Sequence, residues 1–397
     1  MLGLIDPAKV ATALQQRTPL GFKQLWHDRT RLLTAIAGIT FADILIFMQL
    51  GFSDALYTTN TQYPASLNAD LVMISTQAKN FNQLRTFPRR RLYQAMDVPG
   101  VAAADALYIS SVEWRNPQTR KETSMMLMGQ NPDRPAFNLP EVNQQLDATR
   151  LPDAVLFDRA SRGEYGEVIA QVQAGEPVTS EIGLRTVTVA GLFEVGASFA
   201  DDGALITSDQ NFLRLRSRRS AGAVSLGLVQ LEPEVDPEAV VADLAARLPQ
   251  DVQVFTHEDY VDFELADIQG ESPIGFVFGL GTAMGFIVGV VIVYQVLSTD
   301  VNSHLAEYAT FKAMGYRNRY LLGVVFEEAL ILSVLGFIPG LGISLVAYQV
   351  TAAATALPLA MPASRAVLVL LLTFLMCGGS GAIATRRLQA ADPADIF

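Results

Sequence analysis

Four apolar runs set the pattern of this chain. Residues 32–52 hold a single charge, Asp43, in 21 positions, whereas 274–297, 329–348 and 366–384 hold none in 24, 20 and 19 positions. A further apolar stretch, 320–326, extends the third run toward its N-terminal side. About 20 helical residues at ~1.5 Å each cross a hydrocarbon core of ~30 Å, so each run predicts a membrane-spanning helix. The expected spans are 32–52, 274–297, 320–348 and 366–385. They leave an N-terminal segment 1–31, a long segment 53–273, a loop 298–319, a short connection 349–365 and a tail 386–397.

The long segment has a different texture. Short apolar or alternating runs at 69–75, 101–114, 124–129, 154–157, 185–193, 204–206, 223–231 and 252–255 predict strands. Proline-led amphipathic runs at 88–96 and 236–248 predict helices, and 209–219 predicts a short basic one. A strand–helix–strand unit opens the segment and another closes it. The expectation is two small α/β halves and an inserted β-rich lobe. The first span continues without a breaker to Pro64, and 261–268 leads into the second span, so a pair of stalk helices is predicted to carry this domain. The fold class is therefore a membrane protein of four transmembrane α-helices, with a large α+β extracytoplasmic domain inserted between helices 1 and 2.

Charge orients the chain. Lys9, Arg17, Lys23, Arg29 and Arg31 precede the first span, Lys312, Arg317 and Arg319 lie between the second and third, and Arg386 and Arg387 follow the fourth. The connection 349–365 has only Arg365. By the positive-inside rule both termini and loop 298–319 are cytoplasmic, and 53–273 is outside. That segment holds 31 Asp+Glu against 18 Lys+Arg, a net of −13, which first of all keeps it soluble. No basic face is concentrated enough to predict nucleic acid as a partner. The one cysteine, Cys377, falls in the last span, so no intramolecular disulfide supports the outer domain. The first apolar run starts late and is longer than a cleavable signal's core, so it is expected to be a retained anchor. Leu20, Phe22, Leu25 and Trp26 among basic residues predict an amphipathic helix at the inner membrane face.

Few polar residues interrupt the spans. Asp43 is expensive in lipid and should face protein, either as a packing polar bonded to a neighbouring helix or as a relay. Asp43 and Gln49 fall on roughly opposite faces and line no channel. In the second span Gly281, Gly285 and Gly289 repeat every four residues, which lets two helices approach closely. They suit either packing within one chain or a homodimer seam. Gly336, Pro339, Gly340 and Gly342 predict a kink in the third span. The pairs Asp201-Asp202 and Glu327-Glu328 read as turn or helix-end residues.

Enzymatic signatures are absent from the sequence. There is no G-x-x-x-x-G-K-[ST] phosphate loop, no H-E-x-x-H and no G-x-S-x-G, and the three histidines, His27, His257 and His304, lie far apart. Loop 298–319 is longer than a connector needs. It has a helix-like core at 305–314, with Leu305, Tyr308, Ala309 and Lys312 on one face, and Gly315 where a helix would end.

Within that loop E-Y-A-x-x-K-A-M-G (Glu307, Tyr308, Ala309, Lys312, Ala313, Met314, Gly315) resembles the FtsX/MacB superfamily of ABC-transporter permeases. Glu328-Ala329 and the Arg387…Asp392-Pro393-Ala394 tail fit the same pattern. The runs FADILIFMQLGFSDAL, RRRLYQAMDVPGV, GQNPDRPAFNLPEV, LPDAVLFDRASR and GLFEVGASFADDGALITSDQNFLR are similar to DevC-like permeases of that superfamily. The resemblance implies a non-catalytic, homodimeric permease of a bacterial inner membrane. It would bind no cofactor itself, with ATP and Mg held by a separate DevA-like ATPase. A DevB-like membrane-fusion protein would join it to a TolC-like outer-membrane duct. The resemblance also implies that Glu307, Tyr308, Phe311, Lys312, Met314 and Gly315 contact the ATPase. ATPase motion would then pass along stalk helices to an outer domain that moves a lipid, glycolipid or other hydrophobic cargo. FtsX-like regulation of a periplasmic hydrolase and LolC-like lipoprotein mobilisation share this architecture.

Overall fold

The computed structural model describes residues 29–266, 273–304, 310, 314 and 318–385. The chain forms two compact units. One comprises residues up to Gly51 with Val277–Gln349 and the chain from Ala360; the other comprises Phe52–Phe276 and Val350–Leu359.

In chain order the elements of the second unit begin with the end of α1 (Arg29–Ser66), then β1 (Leu71–Ser75), β2 (Phe87–Pro88), α2 (Arg90–Met96), β3 (Val101–Arg115) and β4 (Glu122–Gln130). They continue with α3 (Pro140–Asn143), β5 (Ala154–Asp158), α4 (Gly166–Gln173), β6 (Val178–Ile182), β7 (Arg185–Phe193), β8 (Ala204–Ser208) and α5 (Asp209–Leu215). The last are β9 (Ala223–Val224), β10 (Leu226–Leu231), α6 (Pro237–Arg247), β11 (Val252–Thr256) and α7 (His257–Ala266). Caps set several helix starts: the Ser208 side chain accepts from Asn211 N–H at α5, and Asp236 accepts from Glu238 N–H just before Pro237 of α6.

The long strand β3 organises this unit. Its first half, Val101–Leu107, pairs with β10, which is followed by β1 and β11. Its second half, from Tyr108 to Arg115, pairs with β4. From β4 the order runs β8, β5, β7, β6, and β6 returns to β3 through Trp114↔Ile182. The inserted lobe is thus a closed six-stranded ring, which leaves no free edge. The ring packs around Trp114, fully buried, with Phe157 at 5.4 Å and Tyr165 in turn 5.0 Å from Phe157, ring centre to ring centre. Strands from the two ends of the long segment lie in one sheet. The opening β1 pairs with both of the closing strands, β10 and β11.

Three expectations change. The basic helix 209–219 stops at Leu215, and Arg216 is its cap. The strand 223–231 is divided at Ser225, with β9 pairing to β2 and β10 to β1 and β3. Strand β6 and helix α4 lie in a stretch with no element expected. Between α2 and β3 the chain turns at Gly100, whose φ of +89° and whose proximity to Val235 exclude a side chain.

The two helices at the base of this unit meet within it. His257 Nε2 donates to Pro64 O at 2.9 Å, and Glu264 of α7 accepts from Phe81 N–H at 2.9 Å. Tyr63 and Tyr260 are buried in a shared cluster with Phe81 and Phe137.

The first unit contains the beginning of α1, with α8 (Pro273–Ser303), α9 (Asn318–Thr355) and α10 (Ala363–Ala384). Among the described residues four helices are long and apolar enough to cross a membrane. Leu32, Ala35, Ile39 and Ala42 repeat at the helical period and bury against Val293, Leu297, Ala329, Leu332, Met376 and Cys377. Helix α9 runs through Pro339 as one element.

Candidate functional site

Of the residues expected to contact an ATPase, Glu307, Tyr308, Phe311, Lys312 and Gly315 lie outside the described residues. Met314 is described; it is 60% exposed and its N–H donates to Thr310 O at 3.0 Å. The helices that enter and leave this loop carry a buried ionic cluster. Arg31 of α1 donates through Nη1 to Asp300 Oδ1 of α8 at 2.9 Å and through Nη2 to Ser303 Oγ at 3.3 Å. His304 Nδ1 stands 3.6 Å from the same Asp300 oxygen. Glu328 of α9 is fully buried and faces Asp300; neither of its oxygens, nor Asp300 Oδ2, has a donor among the described residues. Helix α9 begins at Asn318, so Glu328 is an interior residue and not the helix-end residue its sequence suggested.

Small residues fix the packing of the spans. A Cβ at Gly281 would strike the Gln49 side chain, at Gly285 it would come within 3.1 Å of Ile46, and at Gly289 within 2.9 Å of Ala42. Gly281 and Gly285 therefore face α1 of the same chain, and Gly289 is wedged between Ala42 of α1 and Met376 of α10, the nearer of the two. A second ladder on α9 meets α1 from another side: Gly336 lies against Ile39, Gly340 against Asp43, and the Tyr348 hydroxyl donates to Phe47 O. Asp43 is fully buried and accepts at Oδ1 from Thr373 Oγ1 of α10 at 2.7 Å. Thr40 Oγ1 donates to Gly336 O at 3.0 Å, and Ser380 Oγ to Val290 O at 2.9 Å. Arg365 is buried, donating to Ala360 O at 2.7 Å with its guanidinium 5.7 Å from the centre of the Tyr348 ring.

In the outer domain a cavity of about 420 Å³ opens between α3 and the end of β7. Its wall is Leu139, Pro140, Val142, Phe193 and Val195, and Arg159 closes one rim between Glu141 and Glu194. The Arg159 hydrogen bonds hold the Glu141 carboxyl below the usual range. Beneath it Asp158 is buried, which raises its carboxyl, although three backbone N–H groups of Ala160, Val195 and Gly196 bind the charged form. Asp158 thereby fixes both loops at the mouth. Among the described residues no cluster of His, Cys, Asp and Glu could hold a metal ion.

Two family models together span most of the chain. The MacB-like periplasmic core domain matches residues 32–247, and the FtsX-like permease C-terminal domain matches 279–393. The chain belongs to the FtsX/MacB permease superfamily. Among solved structures it is similar to the periplasmic region of MacB from Actinobacillus actinomycetemcomitans (11% identity, covering 51% of this chain and 94% of that one, TM-score 0.33). It is also similar to the extracellular domain of the noncanonic ABC-type transporter YknZ from Gram-positive bacteria (15%, 47% and 99%, TM-score 0.31). A domain of a putative permease protein from Porphyromonas gingivalis gives 14% identity, 48% and 90% coverage and a TM-score of 0.30. No curated protein matches.

Permeases of this superfamily are generally non-catalytic subunits that work with an ABC ATPase. In this permease two features escaped the sequence reading. The buried cluster Arg31–Asp300–Glu328 joins residues 269 and 28 positions apart: Arg31 read only as an orienting charge, Glu328 as a turn or helix-end residue, and Asp300 drew no reading. The second is Arg162, whose fork donates to Asp202 Oδ1 at 2.9 Å, Ser198 O at 3.0 Å and Thr355 O, tying the end of α9 to the outer domain's own loop within one unit.

Proposed function

We propose that this permease is the membrane subunit of a DevC-type tripartite exporter. A separate cytoplasmic ATPase, holding ATP and Mg, engages loop 298–319 through Glu307, Tyr308, Phe311, Lys312, Met314 and Gly315. Its motion passes along the helices to the outer domain, which moves a lipid, glycolipid or other hydrophobic cargo outward. The permease works as a homodimer in a bacterial inner membrane with both termini cytoplasmic. A DevB-like fusion protein and, through it, a TolC-like duct are its outer partners.

The observation that carries the mechanical reading is the use of polar groups in the spans. Thr40, Tyr348, Thr373 and Ser380 each bond one helix to another, and glycine ladders bring α8 and α9 tightly onto α1. Polar side chains used as interhelical bonds stiffen a bundle; a conducting path would turn them toward a common wet face. The runs shared with DevC-like chains favour export over the regulatory and lipoprotein-mobilising alternatives.

The test is co-purification of the full-length chain with its ATPase. Phe311→Glu and Met314→Glu are expected to weaken the complex and abolish stimulated ATP turnover while the chain still inserts. If both variants keep the complex, its ATPase rate and export, the coupling assignment is wrong. Cross-linking the full chain to a fusion protein supports the exporter; cross-linking to an amidase would replace it with the regulatory reading.

A further inference from the structure

The outer domain is acidic, yet one of its faces is basic. Of its 18 Lys and Arg residues, nine make ion pairs with acids among the described residues: Arg91, Arg115, Arg120, Arg134, Arg150, Arg159, Arg162, Arg214 and Arg247. Six of the other nine lie in two short segments, Arg85, Arg89 and Arg90 in one and Arg216, Arg218 and Arg219 in the other. The fold brings these segments together. Strand β2 pairs with β9 at Phe87↔Val224, and Arg89 N–H donates to Gly222 O at 2.8 Å. Tyr108 joins the two sides: Arg89 Nη1 donates to its hydroxyl at 3.4 Å, and the hydroxyl donates to Ala221 O at 2.8 Å.

This concentration runs against the domain's composition. The domain has 31 acids for 18 bases, and the carboxylate near Arg90, Asp251, is held by Arg91. The acids of the same stretches, Asp97 and Asp209, make no ion pair with the six among the described residues. Arg85, Arg90, Arg216 and Arg218 are exposed. Arg219 is half-buried; it donates to Ser225 Oγ at 2.7 Å, while its Nε is buried without an acceptor. Burial, and then the neighbouring Arg216, push its guanidinium below the usual value, as expected of a cation with no counter-charge. On α2, which begins at Arg90, Tyr93 (59%) and Met96 (48%) are exposed, three and six residues further on. Arginine, tyrosine and methionine are the residue types enriched in protein–protein interfaces.

We propose that this face, Arg85, Arg89, Arg90, Arg216, Arg218 and Arg219 with Tyr93 and Met96, docks an acidic, partly apolar segment of a separate protein. The guanidinium groups supply steering and forked hydrogen bonds to carboxylates, and the two apolar side chains supply the dry contact. A bare anionic surface would use the arginines but leave Tyr93 and Met96 without a role. The assignment does not depend on whether the permease exports or regulates.

The test uses the full-length permease in phosphatidylcholine nanodiscs. The probe is a fluorescein-labelled 16-residue helical peptide carrying glutamates on one face and leucines beside them, with a glutamine peptide as control. Binding by anisotropy should favour the glutamate peptide and weaken about tenfold as salt rises from about 0.1 to about 0.5 M. Arg90→Glu with Arg216→Glu should weaken it by at least about tenfold, and Tyr93→Ala about threefold. Lys121→Glu with Arg185→Glu, also exposed and without an ion pair among the described residues but elsewhere in sequence, should leave it unchanged. The neutral pair Arg85→Gln and Arg218→Gln, with a thermal melt equal to wild type, guards against misfolding and should still weaken binding. Equal binding by the two reversal pairs would overturn the proposal. So would loss, in the Arg90/Arg216 variant, of adhesion to phosphatidylglycerol vesicles or of self-association, with peptide binding intact.

Discussion

Replacing Arg31 with alanine should destabilise the membrane unit far more than a surface ion pair would suggest. Asp300 is 7% exposed and is held by the Arg31 guanidinium, whose own side chain is 23% exposed, with the fully buried Glu328 facing Asp300 and His304 3.6 Å from it. A charge pair about 4 Å apart is worth about 4 kcal/mol at an effective dielectric of about 20. Breaking a buried pair by removing one partner costs about 3–5 kcal/mol. Arg31 reaches solvent, which screens part of this, so about 2–3 kcal/mol is expected, or about 5–10 °C in melting temperature. The chain contains its own reporter. Cys377 is its only cysteine and is fully buried in α10, so a thiol-reactive fluorogenic maleimide signals opening of the spans. Glu328→Gln in the Arg31→Ala background removes one stranded carboxyl and should recover about half of the loss. If Arg31→Ala melts within about 1 °C of wild type, or if the double variant melts no higher than the single, the cluster does not bear on stability as argued.

Gly289→Leu should lower the same melt by about 1–3 kcal/mol, because its side chain must displace Ala42 and Met376; Gly279→Leu, which points into open space, should not, and equal effects would refute the assigned seam. In the outer domain Arg91 binds both Asp251 oxygens, at 2.9 and 2.8 Å, and holds that carboxyl below its ordinary value of 3.8. A depressed carboxylate stabilises the fold above its unfolded pKa and loses that contribution as pH falls through about 4 and below. The gap in urea midpoint between wild type and Arg91→Met, read by Trp114 fluorescence in a Trp26→Phe background, should therefore narrow from pH 7 to pH 3. It will be modest, since Asp251 is 40% exposed. Arg162→Ala should raise amide exchange in residues 352–359 about five- to tenfold, measured by mass spectrometry, with α6 unchanged as the internal control.

Much of the architecture could be read from the chain because it rests on local pattern. Uncharged runs of 19–24 residues admit one solution in lipid, and alternating stretches such as 185–193 admit one beside water. What could not be read is non-local. Nothing in V-T-S-E-I at 178–182 reveals that it closes a ring on Trp114, since three of its five residues are polar and its partner lies 68 positions away. Ser225 splits an apparently continuous strand because its hydroxyl accepts from Ile109 N–H at 3.0 Å, redirecting the chain from β2 to β3. The glycine ladder of α8 was visible, but its partner was not, because repeated glycine states only that some backbone comes close.

The buried acid shows this limit most clearly. Glu327 and Glu328 are adjacent and chemically equivalent in sequence, yet Glu327 is half-buried and Glu328 fully so. On a helix the two point about 100° apart, and the rotation of α9 that seats Gly336 and Gly340 on α1 also turns Glu328 inward toward Asp300. The same packing that joins the helices thus creates the electrostatic demand that Arg31 meets. Asp300 lies two residues inside loop 298–319, and Glu328 follows nine residues after it. On the proposed coupling role, any displacement of the loop must either carry Arg31 and the first span with it or separate a buried ion pair. At about 2–3 kcal/mol, carrying the span is the easier course.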